Sequence, residues 1–196
     1  MVPDQQLRDI VLPGLHAQPG MRYAYAGRTG ASNLGPRLVA SVWEFDGGGE
    51  QPPGHLIGLL PFEGVAVMSD VTLELVPLVV NLPFESAEEP RILRVFRGQT
   101  RPGGLETYIE AARDGTYDDV LAQHGPAAMF VGVQQPDRFL SVSVWTAWEN
   151  IEAATGGNLR EPIGTRHSQH LSAGNVEHYE IVPDSMFRTG HTELSR

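Results

Sequence analysis

Three blocks of this chain recur in the same order, and that internal repetition constrains the fold more than any other feature. Ala17-Gln18-Pro19-Gly20 corresponds to Ala122-Gln123-His124-Gly125 at an offset of 105, which also carries Gly27 onto Gly132. Leu38-Val39-Ala40-Ser41-Val42-Trp43 matches Leu140-Ser141-Val142-Ser143-Val144-Trp145 at an offset of 102, and Leu73-Glu74-Leu75-Val76-Pro77 matches Tyr179-Glu180-Ile181-Val182-Pro183 at 106. Order, spacing and apolar character agree together, which is the signature of a duplicated unit. In 196 residues such a duplication leaves about 100 residues per copy, a small domain each. The expected division is a degenerate N-terminal copy at 1–78, a complete C-terminal copy at 90–183 and a tail at 184–196, with 79–89 as linker.

The second copy reads as β-α-β-β-α-β. Residues 91–97 are β-branched and aromatic and precede the Arg101-Pro102-Gly103-Gly104 turn. Leu105, Ile109 and Ala112 then recur at helical spacing, with 118–123 offering a last turn before Gly125. Strands at 127–134 and 138–145 flank Gln135-Pro136-Asp137, a turn sequence that makes them a hairpin. A second helix fits 148–155 and stops at Gly156-Gly157, and after a polar loop at 164–174 the copy closes with a strand at 176–182. The expected class is α+β, two ferredoxin-like repeats of which the first is truncated.

Composition removes several functions. The 24 acids outweigh 14 basic residues, all arginine, for a net charge of −10, so a phosphate-binding surface for nucleic acid is not expected. No apolar run is long enough for a membrane helix and the start MVPDQQLRDI lacks a signal-peptide pattern, so no membrane partner and a cytoplasmic location are expected. With no cysteine, disulfides, thiolate catalysis and Cys-ligated metals are excluded. The Asp46-Gly47-Gly48-Gly49 run lacks the Gly-Lys-Ser/Thr of a phosphate loop, and neither a Gly-x-Ser-x-Gly elbow nor a His-Glu-x-x-His helix occurs. His167, His170 and His178 fall close together, but the first two sit in the polar loop without a carboxylate at ligand spacing, and no metal is expected.

From Ile92 through the first helix, His124-Gly125, the strand ending at Trp145 and the final strand, the second copy resembles the antibiotic biosynthesis monooxygenase (ABM) family of the dimeric α/β-barrel superfamily. Pro19-Gly20 with Trp43 carries the same pattern more faintly in the first copy. The resemblance implies a barrel of two facing sheets, usually from two chains, which the tandem copies would form within one chain, alone or as a further homodimer. It also implies oxygenation without flavin or metal: an oxygen-reactive phenolate supplies the chemistry and the protein supplies binding and deprotonation. The family's inward Asn four residues before the Trp is Val39 and Ser141 here. Of the Asn, Trp and His of the haem-degrading branch, the matching places hold Arg94 or its neighbours, Trp148 and Asn158, so only the Trp is kept. No cofactor is expected.

Strand alternation assigns the site. Leu93, Val95, Leu140, Val142 and Val144 form an aliphatic face expected under the helices, leaving Ile92, Arg94, Phe96, Phe139, Ser141, Ser143, Trp145, His178, Glu180 and Val182 to face the barrel interior. The candidate catalytic residues are His178 and Glu180, with Arg94, Ser141, Ser143 and Trp145 for substrate binding and Arg94 expected beside Glu180. Each has a plainer alternative: a core Trp, an exposed edge Glu, a structural ion pair. Three functions remain: an ABM-like cofactor-independent monooxygenase or related enzyme acting on a small aromatic molecule, a non-catalytic ligand-binding or structural barrel, and haem binding. The site is expected in the second copy.

The offset of 105 carries strand 91–97 back before Met1, so the first copy lacks the strand that is central in a ferredoxin-like sheet. An open gap would leave unpaired backbone groups costing about 1–3 kcal/mol each when buried. Leu78-Val79-Val80-Asn81-Leu82 is the expected substitute, ahead of the tail at 183–196 and of a strand from another subunit.

Overall fold

A computed structural model describes residues 4, 9, 11–29, 37–45, 54–62, 74–83, 89–113, 125–134, 136–163 and 168–188. In chain order these give α1 (Leu12–His16), β1 (Met21–Arg28), β2 (Arg37–Phe45), β3 (Gly54–Phe62), β4 (Glu74–Pro83), β5 (Ile92–Thr100), α2 (Gly104–Arg113), β6 (Ala128–Gln134), β7 (Arg138–Trp145), α3 (Trp148–Thr155), a 3-10 turn at Ser168–His170 and β8 (Leu171–Arg188). The class is α+β, with mostly antiparallel pairing. The chain divides into two compact units, residues 1–75 with 181–196, and residues 76–180. The Asp46–Gly49 run, residues 114–124 with the predicted last helical turn, and His167 lie outside the described residues.

The second unit has the predicted element order. Its β5 lies between β7 and β8, and β6 lies on the far side of β7, all antiparallel. That is the strand order of a ferredoxin-like sheet. Residues 78–83 of β4 add one more strand along β6, with Leu78 opposite Gly132 and Leu82 opposite Met129. The segment read as a linker, and as a replacement strand for the first copy, therefore pairs with the second; its β-branched run finds hydrogen bonds on β6. The closing strand begins at Leu171 rather than 176 and runs to Arg188, through the start of the expected tail. Its early residues pair because Gly174 is required there: a Cβ would stand 2.3 Å from the ring of Phe96, as one on Gly98 would stand 2.2 Å from that of Phe139. The two glycines let these rings lie across the sheet, where Phe96 and Phe139 meet edge-on at 5.5 Å.

The alternation is as predicted in period and opposite in sense. Ile92, Phe96, Phe139 and Trp145 pack with Leu105, Tyr108 and Ile109 of α2 and Ile151 and Ala154 of α3. The face carrying Arg94, Ser141, Ser143 and Trp145 is thus the helix-covered one. Leu93, Val95, Leu140, Val142 and Val144 occupy the other face and are just as inaccessible, at most 1% exposed. Parity follows from the pleat, but which face meets the helices cannot be read from apolar content when both faces are buried. The helices themselves follow their patterns: Leu105, Tyr108 and Ile109 are the buried stripe of α2, and α3 ends at left-handed Gly156, whose N–H caps the Glu152 carbonyl.

In the first unit β2 lies between β1 and β3. The place beside β2 is filled by β3, which follows it in the chain, so none of the expected substitutes applies. Val11 and Leu12 pack with Ala24, Ala26 and Val39, and the partly buried Trp43 joins them, so the Val39–Ser41–Trp43 face is the helix-covered one here as well. The hairpins share their pairing: Gly27 opposes Leu38 and Ala24 opposes Ser41 in one, as Gly132 opposes Leu140 and Met129 opposes Ser143 in the other.

Candidate functional site

Antiparallel register aligns Met129, Ser143, Arg94 and His178 in one row across β6, β7, β5 and β8. Directly opposed residues share a face of the sheet, so this row lies on the helix-covered side with Ile92 and Trp145 on one flank and Phe96 on the other. It places a cation, a hydroxyl and an imidazole side by side within an apolar layer.

Arg94 is 2% exposed, and its Nη2 donates to the carbonyl oxygen of Glu161 at 2.6 Å. A buried guanidinium is tolerated only with such partners. Glu161 belongs to the segment after α3, where a turn is closed by Glu161 N–H donating to the Asn158 carbonyl at 3.0 Å and Arg160 N–H donating to the Asn158 side chain at 3.2 Å. No pattern announced this contact, because it is made by a backbone carbonyl that any residue at 161 would supply.

His178 stands opposite Arg94 and beside the indole of Trp148, with ring centroids 5.3 Å apart and the planes inclined by 54°. Its Nε2 is buried without a hydrogen-bond partner. Burial, and secondarily the Arg94 guanidinium, hold its pKa down at about 4, so the imidazole is neutral across the physiological range. A buried polar atom left unsatisfied costs about 1–3 kcal/mol, and a site that retains one calls for a reason.

The other expected site residues fall differently. Trp145 is fully buried, and its indole N–H donates to Ser143 Oγ at 2.8 Å; the two polar groups are committed to each other inside the core. Ser141 is buried opposite Phe96, one step along the face. Glu180 is exposed and opposes Ile92; Arg94 lies opposite His178 instead, because the pairing is offset by two residues from the expected one. Arg94, Ser143 and His178 are brought together in the row, with the Trp148 indole beside His178, and Glu180 is left outside. On the opposite face Tyr179 donates its hydroxyl to Glu177 at 2.8 Å, and Glu177 also meets Arg97 at 3.0 Å. Among the described residues no three His, Asp or Glu side chains form a metal-binding group, and no helix is long and apolar enough to cross a membrane.

No family model and no curated protein matches the chain. A solved structure from Lactobacillus acidophilus NCFM, a monooxygenase by provisional assignment, matches with a TM-score of 0.53 and 10% identity, covering 96% of this chain and 87% of that one. At that identity the likeness is one of fold. It extends over both units of the chain.

Proposed function

We propose that the chain is a tandem ABM-like protein, and that its second copy binds a small aromatic molecule with an acidic hydroxyl against the Arg94–His178 row and oxygenates it without a cofactor. The observation that carries this reading is the buried, partnerless Nε2 of His178 beside the Arg94 guanidinium and the Trp148 ring. A planar ligand has an aromatic wall there, its hydroxyl has an acceptor, and its anion has a cation. The shared hairpin register and the solved monooxygenase-like fold neighbour support the tandem reading, in which the two copies form the site-bearing fold within one chain.

The proton step follows from coupled charges. Burial, and secondarily the Arg94 guanidinium, leave His178 too weak a base to keep a proton. A phenol bound beside Arg94 has its ionised form stabilised, and the phenolate in turn offsets the guanidinium and lifts the imidazole toward its ordinary value of about 6.5. Proton and negative charge thus exchange between neighbours, without a stranded buried ion. The phenolate then gives electrons to dioxygen: one oxygen atom becomes the carbonyl of a quinone in place of a ring C–H, the other leaves as water, and the substrate supplies both hydrogens.

The test is oxygen consumption by the purified protein with 1-naphthol and anthrone, with the product analysed by mass spectrometry under isotopically labelled dioxygen. One labelled oxygen per quinone, lost in His178→Ala, supports the reading; label-free product or no protein-dependent uptake with any phenol removes the oxygenase. A second reading, ligand binding without turnover, is favoured by the Arg94–Glu161 bond, which already occupies part of the guanidinium. It predicts that phenols bind and dioxygen is not consumed.

A further inference from the structure

We propose that a second binding site, for a small organic cation with an apolar body, lies in the groove between α2, β4 and the β6–β7 turn. The groove encloses about 580 Å³ and opens to solvent. That volume falls in the range of drug-sized ligand sites, about 300–1,000 Å³. Its walls are Val79 of β4, Leu105 and Ile109 of α2 and Val133 of β6. Val79 and Val133 are partly buried against the core below, so the floor is held by the packed layer and the apolar surface facing the groove is fixed.

The sign of the ligand comes from the remaining lining. Glu106 and Glu110 stand one turn apart on α2, both exposed, and both border the groove. Glu106 has an ordinary explanation, because an acid in the first turn complements the helix dipole. Glu110, one turn further on, adds a second exposed carboxylate to the same edge. Among the described residues that line the groove there is no arginine or histidine. An apolar trench edged by two carboxylates disfavours anions and stabilises an ammonium whose alkyl or aryl body fills the trench. The row containing Arg94 and His178 has the opposite preference, so the two sites sort ligands by charge.

The experiment is a titration of the full chain with octyltrimethylammonium, octanol and octanoate, followed by methyl NMR of Val79, Leu105, Ile109 and Val133. The cation should shift these four methyl groups saturably, lose affinity as salt is added and leave octanoate without effect. In Glu106→Gln/Glu110→Gln, two exposed changes that should leave the thermal midpoint in place, affinity should fall about fivefold. Arg94→Met should bind the cation as the parent does, which separates this inference from the proposed oxygenation. Octanoate or octanol binding as tightly as the cation, shifts confined to other methyl groups, unchanged affinity in the double variant, or no saturable shift at all would each overturn it.

Discussion

The hairpins β1–β2 and β6–β7 share their register over Tyr23–Arg28 and Ala128–Val133, and in each the indole of the terminal Trp donates to the Ser two residues back at 2.8 Å. What lies beside them differs. In the second region β5 precedes its hairpin and sets Arg94 opposite Ser143. In the first, β3 follows its hairpin and sets Gly58 opposite Ser41, where the Gly58 carbonyl accepts a hydrogen bond from the Ser41 hydroxyl at 3.2 Å. The same sheet position is supplied from opposite ends of the hairpin, and in one case it brings a guanidinium and in the other only backbone. The lesson is that a sheet conserves the need for a strand more strictly than the strand's origin, and that the side chain delivered there decides whether the face holds chemistry.

The largest effect should come from Arg94. Arg94→Met should lower kcat/KM for a phenolic substrate by about 100-fold or more, the scale of losing one preorganised charge in a buried site, whereas Ser41→Ala in the first region should leave it within about twofold. In the same variant the His178 pKa should rise from about 4 part of the way to its ordinary value, since burial, the larger cause, remains; histidine NMR titration reads this. Equal losses in both regions would erase the asymmetry.

Backbone strain gives the next effect. Gly20 has φ +85° and a Cβ there would stand 2.1 Å from the Glu44 carbonyl oxygen, whereas Gly156 has φ +67° with open space around it. Gly20→Ala should cost about 2–4 kcal/mol and Gly156→Ala about 1 kcal/mol, measured by urea denaturation. Trp145→Phe should then destabilise more than Trp43→Phe, because Trp145 is fully buried and Trp43 only partly; both lose an indole bond to Ser, and a difference of about 1 kcal/mol is expected from the burial.

A further effect is on pH. The folded-state pKa of His178 lies below its unfolded value, at about 4 against 6.5. Its contribution to stability is therefore complete above pH 6.5, declines as pH falls from there, and levels off below 4. His178→Gln should flatten that part of the stability profile. A profile identical in parent and variant would show that the imbalance is not linked to folding.

Much of this arrangement was legible in the sequence. The strands read at 91–97 and 138–145 and the helix at 148–155 follow from period and breakers, the first running on to Thr100, and the repeated Ser-Val-Trp points to a shared turn of structure in each hairpin. β3 was not legible, because Pro52, Pro53, Gly58 and Pro61 crowd a segment that reads as turns. The helix-facing side was misread because both faces of β5 and β7 are buried, which leaves no polar face to mark solvent. Within the candidate site Arg94 and His178 could be named, but not their apposition: sequence gives each strand's parity, while the register that pairs Arg94 with His178 and leaves Glu180 outside is settled only by the assembled sheet.

The central claim is that the second region alone holds a cationic, histidine-flanked place for an acidic hydroxyl. Spectrophotometric pH titration of bound 2-naphthol tests it most directly, since phenol and phenolate absorb at different wavelengths. In the parent protein and in Trp43→Phe the bound naphthol should ionise at lower pH than the free compound, and in Arg94→Met that depression should vanish. Ionisation at the same pH bound and free, or a depression lost with Trp43 and kept without Arg94, would contradict the account.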